Sequence, residues 1–328
     1  SRRTSAILWQ NISLALGMRE MIRRHALIRK LSSVETLGSA TVICSDKTGT
    51  LTHNEMTVTR LWTDGQYLEI TGTGYVPSGE FLVNKKPVDI TCYPAALTTL
   101  WLGVLNNDAA LEITGESHSQ QTYRIVGDPT EGALLVAAAK AGALPVEVRQ
   151  AYPRANEIPF DSERKRMITI HAVRAPHPTD ISPFYNEEAR GWSVVAIKGA
   201  PDLVLDLCTY YQTMDDQSKV LTEKQRQCIL SANDLLTQDA LRVLGLAYRL
   251  EQDASYRNGE LKAEELERGL VFVGLLGMID PARVEVKPAL EEASRAGIRT
   301  VMITGDYPNT ARAIAEGIGL LRPGHKVA

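Results

Sequence analysis

The sequence predicts an α/β protein, a doubly wound parallel sheet interrupted by an inserted α+β domain. Three observations carry that reading. Thr41 to Cys44 is a short apolar, β-branched run that stops at Ser45-Asp46 and reads as a buried strand. From Leu270 onward the pattern alternates strand, helix, strand, helix, the order that builds parallel sheets. Between these two parts lie about 200 residues of a different character, without repeats or low-complexity tracts.

Each element has its own justification. Leu14 to Lys30 reads as a helix, with apolar Leu14, Met18, Met21 and Ile22 and basic Arg19, Arg23, Arg24, Arg29 and Lys30. A solvated basic face is the favoured reading; the other is a helix emerging from a membrane into cytoplasm, where basic residues collect. Arg60 to Phe81 is rich in Thr, Gly and Tyr and reads as hairpins. Thr130 to Ala141 is a helix, Arg166 to Val173 and Trp192 to Ile197 are strands, Leu221 to Asp239 is helical and Leu241 to Tyr248 is a strand. Ala175 to Arg190, with three prolines, reads as a surface loop. Leu270 to Met278 is a strand, Asp280-Pro281-Ala282-Arg283 a loop, and Lys287 to Ala296 a helix stopped by Gly297. Ile298 to Ile303 is a strand, and Pro308 suits the start of a helix continuing from Thr310 to Gly317.

Composition narrows the class. With 328 residues, 44% hydrophobic and 23% charged, the chain is an ordinary globular one of about two domains. A net charge of −3 points away from nucleic acid. Cys44, Cys92, Cys208 and Cys228 are too far apart for a zinc site or a disulfide framework, which suits a reducing cytosol. No stretch is long and apolar enough to span a bilayer and no signal peptide is evident, so the chain as written reads as soluble.

The chemistry concentrates in Cys44-Ser45-Asp46-Lys47-Thr48-Gly49-Thr50-Leu51-Thr52. An Asp at the carboxyl end of a parallel strand sits in the crevice where such sheets bind ligands. Its carboxylate can attack a phosphoryl group and form an aspartyl-phosphate. Lys47 adds positive charge, Gly49 permits a tight turn whose N–H groups face a phosphate, and Thr48 offers a hydroxyl and a carbonyl. Singly, Asp-Lys is a surface pair and Thr-Gly-Thr a turn; as an unbroken string they point to phosphoryl chemistry.

Asp46-Lys47-Thr48-Gly49-Thr50-Leu51-Thr52 resembles the signature of P-type ATPases, and the resemblance runs from about Leu14 to Gly319. Lys198-Gly199-Ala200-Pro201 resembles the nucleotide-domain KGAP motif. Asp280-Pro281-Ala282-Arg283 resembles the hinge motif, with Ala282 where many members have a second Pro, and Met302 to Asp306 resembles the TGD loop. Gly127 to Leu134 and Pro159 to Lys165 resemble nucleotide-domain segments of type II members, bacterial calcium-pump-like ATPases foremost.

The resemblance implies a haloacid-dehalogenase-like phosphorylation domain, cut short, with an inserted nucleotide-binding domain. It divides the chain into a stalk segment (1–30), a first phosphorylation part (31–57), the nucleotide-binding domain (58–274) and a second, incomplete phosphorylation part (275–328). It implies that Asp46 is the nucleophile, assisted by Lys47 and Thr48, and that Asp46 and Thr48 contact Mg2+. Thr304, Gly305 and Asp306 would lie beside Asp46 and hold the phosphate end of ATP. Phe160 would stack on adenine, Lys165, Lys198 and Gly199 would line the pocket, Glu131 would accept from the exocyclic amine, and Arg242 would reach the phosphates. Read without the family, Phe160 is a core residue and Glu131 a solvated one. Ser162 stands where some members carry a phosphate-contacting arginine, and Tyr307 where bacterial relatives often have His.

The family pattern continues past Ala328 with a lysine and a Gly-Asp-Gly-x-Asn-Asp segment, and a Pro-Glu-Gly-Leu-Pro-type segment is expected before Leu14, where Ser1 to Asn11 shows no resemblance. The implied partners are ATP or ADP, the transmembrane and actuator domains of the same pump, and a cation bound elsewhere in it, calcium by resemblance. The implied place is the cytoplasmic face of a membrane. A nucleotide-binding module without turnover is the second reading. A soluble aspartate-nucleophile phosphatase is the third, disfavoured because Thr48 occupies the place of that superfamily's second Asp.

Overall fold

The computed structural model describes residues 2–24, 26, 30–114, 122–173, 184, 191–252, 262–305 and 308–321. The backbone gathers into two compact units: Thr52–Ala282 forms the body of the larger, and the segments through Leu51 and Arg283–Gly305 form that of the smaller.

The larger unit is built on a mixed sheet, eleven-stranded among the described residues. Its spine runs Lys86–Val88, Phe81–Val83, Gln66–Ile70, Thr57–Thr63, Leu270–Ile279, Arg242–Glu251, Ser193–Gly199, Arg166–Ala172 and Arg154–Asp161, each antiparallel to the next. Cys208–Gln212 adds in parallel to the start of Leu270–Ile279 and carries Ser218–Val220 on its far side. Successive side chains of a strand point to opposite faces, and here both faces are covered. Val194 and Ala196 join a core with helices Pro94–Leu105 and Pro129–Lys140. Val195 and Ile197 join a second core with helices Pro201–Asp206 and Glu223–Gln238. This is why Ser193–Gly199 is buried along its whole length and reads as an apolar run rather than an alternating one.

Two strand expectations need correction. Leu270–Ile279, which strand–helix–strand order assigns to the parallel sheet, lies in the antiparallel sheet between Thr57–Thr63 and Arg242–Glu251. Residues 274 and 275, where a domain boundary is expected, sit inside this one continuous strand. Element order alone does not reveal which sheet a strand joins, and one partner of this one, Thr57–Thr63, lies more than 200 residues away in the chain. Val42–Asp46 is indeed a strand, parallel to Arg299–Ile303 with Val42 opposite Arg299 and Asp46 opposite Ile303. It is not buried: Val42 and Ile43 are 49% and 40% exposed, because the pair has no third strand among the described residues.

The first helix spans Arg2–Arg23, beginning well before Leu14. No helix among the described residues is long and apolar enough to cross a membrane. Sequence patterning did not single out Pro94–Leu105, which is apolar on nearly all sides and almost wholly buried; such a helix lacks the one-sided stripe that marks an amphipathic one. The expected loop Ala175 to Arg190 lies outside the described residues except Phe184, which is buried edge-on against Tyr152 and Tyr248, ring centroids 5.8 and 5.1 Å away.

His171 is buried in this sheet, its Nδ1 3.0 Å from the Tyr152 carbonyl oxygen and its Nε2 2.9 Å from Thr169 Oγ1. Burial lowers its pKa to about 4 from an ordinary 6.5. The unfolded chain therefore binds the extra proton first as pH falls, so the stabilisation present above pH 6.5 is lost progressively down to about 4. The expected loss is about 3 kcal/mol over that window. Urea unfolding from pH 7.5 to pH 4 should show it, and His171→Asn should flatten that part of the profile.

Candidate functional site

In the smaller unit, Asp46 ends its strand exposed at the carboxyl edge of the parallel pair. Ile303 is its neighbour in register, so Thr304 and Gly305 leave the adjacent strand at the same edge. Asp306 and Tyr307 lie outside the described residues. The chain after Asp46 reverses through Thr48 (φ −74°, ψ 125°) and Gly49 (φ 72°, ψ −7°). These are the angles of a type II turn, whose third residue needs the positive φ that glycine adopts without cost. The Thr48 N–H donates to Asp46 Oδ1 at 3.4 Å, which orients the carboxylate toward its own turn. Arg283 fastens the loop: its backbone N–H donates to the Leu51 carbonyl at 2.9 Å and its Nη2 to the Gly49 carbonyl at 3.3 Å. Lys47 is buried, whereas Thr48 is exposed.

In the larger unit, Asp128 caps helix Pro129–Lys140, accepting from the backbone N–H groups of Thr130 at 2.7 Å and Glu131 at 3.3 Å. The cap fixes Glu131 in the first turn, where the helix dipole favours a carboxylate. Lys198, near the end of its strand, donates to Glu131 Oε1 and to the Asn106 carbonyl. Both side chains are shielded, 8% and 15% exposed. Burial pulls the Lys198 pKa down, and the Glu131 carboxylate opposes that shift. Glu131 Oε2 accepts from the N–H groups of Asp108 at 2.9 Å and Ala109 at 3.2 Å. Glu131 is thus neither solvated nor open-handed; most of its accepting capacity is used within the protein.

Asn107, which sequence reasoning did not select, joins these parts. Its side-chain amide donates to the carbonyls of Gly103 at 2.9 Å and Glu131 at 2.8 Å, and its Oδ1 accepts from Ala109 N–H at 2.9 Å. An Asn following an apolar run is a weak signal, and only the fold brings its three partners together.

Phe160 lies on Arg154–Asp161, the last strand of the sheet, where the register shifts between Ile158 and Asp161. It is 62% exposed, so the core reading fails; a bulge of this kind re-aims a side chain. Two strands away along the same sheet, Lys198 pairs in register with Met167. Lys165 sits exposed in the turn between Arg154–Asp161 and Arg166–Ala172, at φ 50°. Its N–H donates to the Asp161 carbonyl at 2.7 Å, and its carbonyl accepts from Ala200 N–H at 3.1 Å. Gly199 is required here because a Cβ would meet the Lys165 carbonyl oxygen at 2.5 Å. Arg242 is exposed and donates to Thr130 Oγ1 at 3.0 Å, one residue before Glu131. Asp46, Lys47 and Thr48 therefore gather with Thr304 and Gly305 in one unit, and Glu131, Lys198, Gly199, Lys165, Phe160 and Arg242 belong to the other.

A family profile described as "P-type ATPase, cytoplasmic domain N" matches residues 97–285. The chain belongs to the P-type ATPase family. Among its relatives is the "Calcium-transporting ATPase" of Bacillus subtilis (strain 168), 38% identical over 320 residues, covering 96% of this chain and 33% of the relative. The "Probable cation-transporting ATPase F" of Mycobacterium bovis is 40% identical over 311 residues, covering 94% and 31%. The "Cation-transporting ATPase pma1" of Synechocystis is 38% identical over 322 residues, covering 97% and 32%. The chain spans about a third of the length of the curated relatives it matches.

All six candidate side chains of the larger unit fall inside the matched N-domain region of this P-type ATPase chain. A further residue in that region, Glu267, was not legible in the sequence. Arg166 Nε and Nη2 donate to its two carboxylate oxygens at 2.8 and 2.7 Å, and Arg164 Nη2 donates to it as well. Burial by itself would raise the Glu267 pKa; the bonds from Arg166 and Arg164 outweigh it and hold the group below its ordinary value.

Removing Lys198 strands a shielded carboxylate. Lys198→Ala is expected to lower the stability of this P-type ATPase chain by about 3 kcal/mol, the usual cost of breaking a buried pair from one side. Lys198→Met with Glu131→Gln should recover a large part of that loss. Urea unfolding of the single and double variants checks both statements.

Proposed function

We propose that this chain is the ATP-binding and phosphoryl-accepting cytoplasmic head of a P-type cation-transporting ATPase, with the larger unit as its nucleotide-binding domain. In this reading Val42–Asp46 and Arg299–Ile303 belong to a haloacid-dehalogenase-like phosphorylation domain. The observation that supports it most is the position of Asp46 at the carboxyl edge of a parallel strand pair, with Thr304-Gly305 leaving the neighbouring strand at the same edge. The names of the relatives favour a cation as cargo, and calcium among cations.

The step is an in-line transfer. An oxygen of the Asp46 carboxylate forms a bond to the γ-phosphorus of ATP as the bond from that phosphorus to the β–γ bridging oxygen breaks, and ADP leaves with that electron pair. Such a transfer needs positioning and neutralisation of charge on the phosphoryl oxygens more than covalent assistance. Lys47 and the N–H groups of the Thr48-Gly49 turn supply positive potential beside Asp46, and the Thr48 hydroxyl and Thr304 hold phosphate oxygens. Asp306 completes that group in the reading.

Magnesium fits the donors present. Mg2+ is ordinarily held by one or two carboxylates, waters and substrate phosphates rather than by an all-protein cage. Asp46 offers an exposed carboxylate and Thr48 a backbone carbonyl, and no cluster of three His, Cys, Asp or Glu side chains exists among the described residues. When bound, the ion would neutralise phosphoryl charge. On the nucleotide side, Phe160 stacks on adenine, Lys165 and Lys198 line the pocket with Gly199, Arg242 reaches the phosphates, and Glu131 both accepts from the base and holds Lys198.

Calorimetric titration with ATP tests the binding half. Stacking and a few charge-assisted bonds predict an affinity of about −4 to −8 kcal/mol. Phe160→Ala should weaken ATP by about 1–3 kcal/mol while leaving inorganic phosphate unaffected. No heat with ATP, or equal affinity in the variant, refutes the pocket. The phosphorylation half is tested in the full-length pump. Asp46→Asn is expected to abolish acid-stable labelling from γ-labelled ATP and all ion-driven turnover. Persistent labelling would move the nucleophile elsewhere.

A further inference from the structure

Arg164 and Lys165 lie in the turn after Arg154–Asp161 and Arg166 opens the strand Arg166–Ala172, and these three consecutive cations are not treated alike. Arg164 and Arg166 both donate to Glu267, Arg166 through the two-point fork that fixes a guanidinium most firmly. Glu267 is 11% exposed. Its own segment is pinned in turn, since Arg249 donates to the carbonyls of Glu265 and Arg268 on either side of it. Lys165, between the two arginines, is exposed and makes no ion pair among the described residues. Its backbone is held on both sides, by Asp161 and by Ala200, in the left-handed conformation that non-glycine residues seldom adopt.

We propose that Glu267 is a positioning residue: by clamping Arg164 and Arg166 it fixes the strained turn so that Lys165 alone is presented to a bound nucleotide. The inference rests on the reading of Lys165 as a pocket cation. It assigns Glu267 no contact with the ligand. Its effect passes through the turn, and without the clamp Lys165 must be ordered at the moment of binding.

The sign of one substitution separates this role from a simple field effect. Glu267→Gln removes a negative charge near an anionic ligand, so electrostatics alone would tighten ATP binding. Loss of positioning weakens it. Calorimetry with ATP on the 328-residue chain is expected to show about three- to tenfold weaker binding in Glu267→Gln, toward the lower end of the coupling found between residues of one network. Arg166→Lys, which keeps the charge and loses the fork, should weaken it similarly. In a Lys165→Ala background, Glu267→Gln should have no further effect, whereas a general loosening of the domain would weaken ATP equally in both backgrounds. Circular dichroism and urea midpoints confirm that each variant is folded at the titration temperature. Should Lys165→Ala itself leave ATP binding unchanged, the pocket assignment falls and the clamp with it. If Lys165→Ala weakens binding but Glu267→Gln and Arg166→Lys do not, or if Glu267→Gln is equally costly without Lys165, the clamp alone is refuted.

Discussion

The larger unit depends on its first and last strands being neighbours. Thr57–Thr63 and Leu270–Ile279 pair antiparallel, and below them Thr52 Oγ1 donates to Asp280 Oδ2 at 2.5 Å while Glu55 N–H donates to Asp280 Oδ1 at 3.2 Å. Thr52 and Asp280 are both buried, so their bond is shielded from water and charge-assisted. His53 N–H adds a bond to the Pro281 carbonyl at 3.1 Å. With its ends closed in this way, a long stretch of chain can leave and return at one place. Every other strand of the sheet is added outward from this pair.

A sheet covered on both faces then dictates where polar side chains can go. Lys198 is the next-to-last residue of a wholly buried strand, and its ammonium must find partners inside. It finds the Glu131 carboxylate and the Asn106 carbonyl, at the point where the carboxyl end of helix Pro94–Leu105 meets the amino end of helix Pro129–Lys140. The pair is costly to desolvate and costly to break from one side. It is compensated by the helix dipole and the two N–H groups of Asp108 and Ala109 on the same carboxylate. The three cations are therefore treated differently: Lys165 and Arg242 are exposed, while Lys198 is committed to the Glu131 carboxylate.

The smaller unit shows the opposite economy. Its Asp46 carboxylate is exposed, and order comes from backbone geometry, a type II turn at Thr48-Gly49 tied by Arg283. Thr50, Leu51 and Thr52 lead straight to the bond with Asp280, so one heptapeptide carries both the exposed Asp46 carboxylate and the first residue of the larger unit's closure.

The sequence by itself determined the chemistry-bearing string from Asp46 to Thr52, the family, and the helices and strands with clear periodicity, such as Pro129–Lys140 and Arg166–Ala172. Those features are local: a glycine where φ must be positive, an acid capping a helix, apolar residues spaced for one face. Tertiary structure alone decided that Leu270–Ile279 joins the antiparallel sheet, that Phe160 is exposed in a bulge, that Glu131 is engaged by Lys198 and two N–H groups, and which groups Asn107 and Glu267 bond. Each of these rests on partners distant in the chain. Strand pairing, burial and the satisfaction of buried polar groups are properties of what packs where, and no window of sequence contains both sides of the contact.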